Sequence, residues 1–216
     1  MTGAGPGGQR AARGERRAWL ACLGAAVLGS VRLARAGAQV EEPLTDAVRS
    51  ALSAAVADAA PPKPSFDSID QRLAHLRWLS QASERLKRRK SEHHTRIEFL
   101  EAVWYESRRA GLETSLVLGL IQVESGFRKY AISSAGARGY MQVMPFWARA
   151  LGAGDERRLF HLQTNLRFGC VILRHYLDRE RGDLFMALGR YNGSRGKPQY
   201  PDMVYGARRA WDIPVA

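Results

Sequence analysis

Two cysteines in 216 residues, Cys22 and Cys170, rule out a disulfide framework. Metal-ligand spacing is missing as well. His75, His93, His94, His161 and His175 form no H-E-x-x-H pair, and no cysteine cluster exists, so no metal and no other cofactor is expected. There is no glycine-rich phosphate loop and no nucleotide fingerprint. No alternating apolar–polar stretch of useful length occurs, and there is no internal repeat, which leaves an all-α class with room for one small β element. The longest apolar run, Ala18 to Val31, is too short to span a bilayer comfortably, so the mature form is expected to hold no stable membrane span. One further absence is chemical: no Asp or Glu lies between Glu124 and Asp155.

Acidic residues are outnumbered, with 33 Lys and Arg against 21 Asp and Glu, for a formal charge of +12. Six of those arginines and a single acid fall in residues 1–38, leaving 27 basic against 20 acidic in the remainder. A moderately basic body suits a polyanion or an anionic surface without choosing between nucleic acid, membrane and an acidic wall polymer. The N-terminus helps to choose. Arg13, Arg16 and Arg17 precede the apolar run, and Ala36-Gly37-Ala38 supplies a cleavage-like site, the layout of a secretory signal over residues 1–38. Arg16-Arg17-Ala18-Trp19-Leu20 is compatible with twin-arginine export, and ordinary Sec export fits as well. A periplasmic location is expected by either route, and nucleic acid is not an expected partner. Cleavage after Ala38 would remove Cys22; Cys170, among Leu166, Phe168, Val171 and Leu173, reads as a small buried hydrophobe.

Residues 39–65 are Ala-rich and break at Pro61-Pro62-Lys63-Pro64, which predicts a linker carrying at most one marginal helix. A helical extension is expected over 66–95, with Ile69, Leu73, Leu76, Leu79 and Leu86 on its inner face. It ends in the basic run Arg85 to Lys90, read as a solvated face or, alternatively, as a contact for an anionic polymer. The main domain then occupies 96–212. Thr95 and Glu98 form a capping box for a helix ending at Gly111, and an almost wholly apolar helix runs from Ser115 to Ser125 with Gly126 to stop it. Residues 128–143 have no helical period and predict a structured loop or short hairpin. Further helices are expected from Pro145 to Gly152, from Thr164 to about Arg181, from Leu184 to Tyr191 behind the cap Asp183, and from Pro201 to Trp211.

Glu124 is the residue that breaks the pattern. Val117, Leu120, Ile121 and Glu124 fall at i, i+3, i+4 and i+7, so a carboxyl group stands where a buried stripe calls for Leu or Val. Such a group must be paired with a cation or hold its proton near neutral pH, and a proton held there is what a general acid needs. Three clusters lie at or after it: Glu124-Ser125-Gly126-Phe127, Gly136 to Pro145 with Met141-Gln142-Val143-Met144, and Arg190-Tyr191-Asn192-Gly193. Met141, Met144, Phe146 and Trp147 read either as core or as groove walls. Gly136 and Gly139 read as turn residues or as places where the backbone approaches a ligand. Glu106-Ser107 lacks the following Gly and aromatic, lies beside Arg108 and Arg109, and reads as a surface ion pair or cap.

Between about Ile97 and Trp211 the chain resembles the soluble lytic transglycosylase family. The resemblance rests on the Glu-Ser-Gly-aromatic step at Glu124, the pattern S-x-x-G-A-x-G-x-M-Q-x-M-P from Ser133 to Pro145, the pair Asn165 and Gly169, and Tyr191-Asn192. It departs at Tyr140, where Leu is usual, and at Gly193-Ser194, where Ala-Gly is common. The resemblance implies a lysozyme-like helical domain acting on peptidoglycan. Glu124 matches its sole catalytic carboxylate, and Ser133 a hydroxyl beside it. Gln142 and Met144 match residues contacting the glycan, Tyr191 a phenol near the acid, and Asn192 its neighbour in the sugar site. The implied reaction cleaves the β-1,4 bond between N-acetylmuramic acid and N-acetylglucosamine and forms a 1,6-anhydro ring. Most glycosidases use two carboxylates, so the missing second acid suits a substrate that brings its own nucleophile. A non-catalytic cell-wall-binding module on the same scaffold is the alternative, and a nucleic-acid binder a more distant one.

Overall fold

The computed structural model describes residues 1–2, 39, 41, 44–57, 66–151 and 154–213. The chain divides into two units, Met1–Arg32 and Leu33–Ala216, and the described helices all belong to the second. Apart from its first two residues, the expected export signal lies outside the described residues, as does the Pro-rich stretch 61–64.

The described residues are helical, with no strand: α1 (Asp46–Ala57), α2 (Ile69–Leu86), α3 (His93–Arg109), α4 (Thr114–Ser125), α5 (Pro145–Ala150), a 3₁₀ segment (Glu156–Phe160), α6 (Leu162–Arg179), α7 (Leu184–Asn192) and α8 (Gln199–Arg209). Two isolated bridges, Ile132 with Arg138 and Arg138 with Val143, form the small β element inside the loop before α5.

The apolar helix α4 is central. Val117, Leu118, Leu120 and Ile121 are wholly buried, and the helix stops at Gly126, which takes φ +57° as a left-handed cap. Its chief partner is α8. Close approach requires Gly119: a Cβ there would sit 2.7 Å from the backbone nitrogen of Arg208. On α8, Tyr200, Val204 and Ala207 fall at i, i+4 and i+7 as one buried stripe, and Trp211, just past the helix end, is buried as well. Asp183 caps α7 by accepting from the Met186 N–H at 3.0 Å, and Gly193 at φ +77° ends it.

Several expectations need correction. The inner face of α2 is His75, Trp78, Leu79, Ala82 and Leu86, whereas Ile69, Leu73 and Leu76 are exposed at 74%, 45% and 48%. Both sets have helical spacing, so the packing of α2 on α3, and not the period, decides which stripe is buried. Helix α3 begins before the Thr95 box expected to open it. Glu92 is its cap, its carboxylate accepting from the N–H groups of His94 and Thr95. Within the expected linker, α1 packs on α6 and buries Leu52. The run Arg85 to Lys90 is only partly solvated. Arg85 donates to the carbonyl of Ala210 at 2.6 Å, while Lys90 lies over the rings of Phe99 and Tyr140.

Candidate active site

Glu124 ends α4 on its buried side and is 5% exposed. Its Oε1 accepts a hydrogen bond from the Tyr200 hydroxyl at 2.5 Å, and its Oε2 has no hydrogen-bond partner. Burial pushes the carboxyl up to about 8; the Tyr200 hydrogen bond draws it down, and no neighbouring charge contributes. The group is therefore protonated at neutral pH with one oxygen held and the other unengaged. Tyr200 itself is pushed well above 10, by burial first and then by Glu124, so it stays a donor.

The turn beyond Glu124 is tight. Gly126 and Phe127 both take positive φ, +57° and +68°, and Phe127 is a non-glycine residue in the left-handed region. Its ring is fixed by Phe99 at 5.9 Å, Trp211 at 5.2 Å and the Arg89 guanidinium at 5.3 Å. Ser125 turns inward, donating to the Ile121 carbonyl at 3.2 Å.

The loop 128–144 is built on Asn165 of α6, which is wholly buried. Its Oδ1 accepts from the Met141 N–H at 2.8 Å, and its Nδ2 donates to the carbonyls of Arg138 and Leu159 at 2.8 and 2.7 Å. One turn later Gly169 leaves room for Met141, whose sulfur would stand 2.3 Å from a Cβ there. Gly139 has the same kind of reason: at φ +76°, a Cβ would meet Asn165 Nδ2 at 2.4 Å and the Leu159 carbonyl at 2.6 Å. Packing inside the protein is enough to require glycine here.

The other sequence-derived candidates fall around this frame. Tyr191 is fully buried, donates to the Met141 carbonyl at 2.8 Å, and is close enough to Glu124 for the carboxyl to raise its phenol further. Asn192 donates from Nδ2 to Ser194 Oγ at 3.0 Å, and its buried Oδ1 has no partner. Met144 is half-buried at the start of α5. Gln142 is turned into its own loop, with Nε2 donating to the carbonyls of Ala131 and Gly139 at 3.1 and 2.9 Å. Ser133 is likewise engaged locally, its Oγ accepting from the Ala137 N–H at 3.1 Å, with no hydrogen bond to Glu124. Met141, Phe146 and Trp147 are buried, and so is Cys170, whose thiol burial pushes well above its ordinary value.

Two polar residues at the site were not anticipated. Tyr200 sits on the buried stripe of α8, and a phenol on that stripe was the available signal. Gln39 accepts from the Trp147 indole N–H at 3.0 Å and also meets Tyr191; nothing local in the sequence marks it. Conversely, Glu106 is no surface ion pair. It is 1% exposed, pairs with Arg167 at 2.9 Å and Arg109 at 3.6 Å, and accepts from Gln163. No group of three His, Cys, Asp or Glu among the described residues is arranged to hold a metal ion, and no described helix is long and apolar enough to cross a membrane.

Comparisons with known proteins point to one family. Residues 101–206 match the family model described as the Transglycosylase SLT domain. A "Transglycosylase" of Enterobacteria phage PRD1 is 32% identical over 104 residues, 48% of this chain and 38% of that protein. "Membrane-bound lytic murein transglycosylase C" of Mannheimia succiniciproducens is 51% identical over 51 residues, 24% of this chain and 14% of that one. The protein of the same name from Haemophilus ducreyi is 48% identical over 93 residues, 38% of this chain and 25% of its own length. The chain thus spans well under half the length of these curated relatives. A solved structure of an inactive mutant of the lytic transglycosylase Slt from Pseudomonas aeruginosa aligns over 66% of this chain and 27% of that one, at 21% identity and a TM-score of 0.42.

Proposed function

Since the chain carries a transglycosylase SLT domain over residues 101–206, we infer that the protein is a peptidoglycan lytic transglycosylase whose single acid is Glu124. The observation that carries this reading is the carboxyl itself: buried, held near a pKa of 8, and left with one unengaged oxygen. The bond cleaved joins C1 of N-acetylmuramic acid to O4 of N-acetylglucosamine. Glu124 gives its proton to O4 as the C1–O4 bond breaks. The C6 hydroxyl of the same muramic residue then closes on C1, and its proton passes to the Glu124 carboxylate. No water is consumed, the product carries a 1,6-anhydro ring, and the acid ends protonated as it began.

Holding the C6 hydroxyl against C1 replaces a bimolecular attack by an intramolecular one, worth up to ~7–11 kcal/mol in favourable systems. A second carboxylate to activate water is then unnecessary. Tyr200 fixes Oε1 so that Oε2 faces the leaving oxygen. Tyr191, held on the Met141 carbonyl, closes the wall beside the acid, and Asn192 Oδ1 accepts from a sugar hydroxyl or acetamido N–H. Met144 forms an apolar contact for a sugar ring. Gln142 and Ser133 act by shaping the loop, since their described hydrogen bonds stay inside it. Residues 1–38 direct export, by the Sec or twin-arginine route, and the enzyme works in the periplasm on glycan strands.

The test is digestion of purified sacculi by the folded protein, with mass spectrometry of the soluble products. Muropeptides ending in anhydromuramic acid, absent with Glu124→Gln, are the expected result. Reducing muramic ends would make the protein a hydrolase instead. An unaltered wall-binding phenotype in Glu124→Gln, with no products from either protein, would make it a binding module.

A further inference from the structure

A cleft that acid catalysis does not use opens at the first turn of α4, the end away from Glu124. Thr114 and Ser115 on α4, Trp78 on α2, Trp104 on α3 and Trp211 after α8 line it, and its volume is about 540 Å³. That size suits a small ligand or one or two units of a polymer. Ten residues of helix separate Thr114 from Glu124, or roughly 15 Å along the axis. Glu124, Tyr200, Tyr191 and Asn192 take no part in the lining.

The walls are aromatic and carry one polar group that the fold leaves unanswered. Phe66 and Trp104, both half-buried, leave ring surface open to the cleft. The His75 ring lies 5.1 Å from Phe66 and 4.6 Å from Trp104, and stacks on Trp78 at 5.9 Å. His75 is 7% exposed, and its Nδ1 has no hydrogen-bond partner among the described residues. Burial first, and then the charge of Arg108, push its pKa below the ordinary histidine value, so the imidazole is neutral at pH 7. A neutral imidazole carries one donor and one acceptor, and a buried polar atom without a partner is costly until something meets it. Around the rim stand the carboxylates of Asp67 and Asp212, the amide of Gln71, and the Arg108 guanidinium, 5.2 Å from the centre of the Trp104 ring.

These groups discriminate between ligand classes. A polyanion would meet two carboxylates against one guanidinium. A wholly apolar ligand would leave His75 and the polar rim unanswered. A pyranose has a C–H face to lie on an indole, and hydroxyls at its edge for carboxylate, amide and guanidinium groups. An acetamido group adds a donor and an acceptor for the imidazole. We propose that this cleft binds an N-acetylated sugar of the wall glycan, at a place separate from the one that cuts. The choice of an amino sugar rests on the wall substrate proposed above, whereas the cleft itself selects a sugar. Holding one stretch of glycan here makes the next encounter with Glu124 intramolecular and raises the effective concentration of strand at the acid.

The test titrates the folded full chain, carrying Glu124→Gln so that nothing is cut, with the N-acetylglucosamine trimer. The indole N–H signals of Trp78 and Trp104, assigned by substitution, are followed by NMR. Both should shift with a common midpoint, and maltotriose, which has no acetamido group, should move them far less. His75→Phe keeps an aromatic ring and removes the polar atoms; Trp104→Ala removes an open indole face. Each should raise the midpoint read at Trp78 roughly tenfold. In the otherwise unaltered enzyme the same two changes should raise KM for long glycan strands and leave kcat as it was. Trp211 stays in place because it also packs on Phe127. Signals unmoved at millimolar trimer would overturn the proposal, as would midpoints that neither variant changes. An equal response to maltotriose would overturn the assignment to an N-acetylated sugar. Shifts without turnover of glycan by the unaltered protein would keep this second place and sink the lytic reading; turnover without shifts would do the reverse.

Discussion

Glu124→Gln should make the protein more stable, by an amount that grows with pH. The native carboxyl releases its proton near 8 and the unfolded one near 4.5, a difference equivalent to about 5 kcal/mol. Between those values the unfolded chain has lost a proton that the native state retains. Wild-type stability from this group is therefore complete below about 4.5, falls as pH rises, and levels off above about 8. Glutamine is neutral throughout and keeps a carbonyl to accept from Tyr200. Relative to wild type, the variant should gain about 1 kcal/mol at pH 5, about 3 at pH 7 and nearly 5 at pH 9, as ceilings that water penetration reduces. Urea denaturation of both proteins at the three pH values measures the gap. Other titrating groups cancel in the difference, and any fixed cost of the amide shifts all three points together, so the slope carries the inference. A gap constant from pH 5 to pH 9 would refute the reasoning, since it would mean that Glu124 ionises alike in both states.

Three further perturbations probe the surroundings of the acid. Tyr200→Phe removes the hydrogen bond that draws the Glu124 carboxyl downward, so the alkaline limb of the kcat profile should move to higher pH while kcat falls about 10- to 100-fold, or about 1.4–2.7 kcal/mol; an unmoved limb would show that the phenol does not set the acid. Glu106→Ala removes the carboxylate that faces the buried Arg167 guanidinium at 2.9 Å and should cost about 3–5 kcal/mol in thermal or urea unfolding. Gly139→Ala forces an alanine into φ +76° against Asn165 and the Leu159 carbonyl and should cost about 2 kcal/mol or more, with activity lost as the loop shifts; near-wild-type stability would contradict the packing described.

Much of the frame was legible because it is local. Gly126 and Asp183 end and begin their helices where short-range chemistry says they should, and the stripe through Val117, Leu120 and Ile121 marked Glu124 as buried. What escaped depended on partners distant in sequence. Two helical stripes on α2 have equally good spacing, and only its tertiary packing buries Trp78 and Ala82 while Leu73 and Leu76 stay exposed. Glu106 looks like a surface residue beside Arg108 and Arg109, yet it is buried, and besides Arg109 it pairs more closely with Arg167, sixty-one residues on. Tyr200 lies seventy-six residues from Glu124, and the approach of their helices is set by Gly119. Ser133, expected beside the acid, and Gln142, expected against the glycan, make hydrogen bonds within their own loop that no local pattern announces. Pattern located the acid; the contacts that tune it belong to the fold.

The most direct measurement is the titration of that one side chain. With glutamate labelled at the carboxyl carbon and Glu124→Gln used to assign its resonance, NMR from pH 4 to pH 10 should show this carboxyl changing near 8, far above the ordinary glutamate range. A transition near 4.5 in the folded protein would leave the group ionised at neutral pH with no proton to hand to a glycosidic oxygen, and would contradict the account.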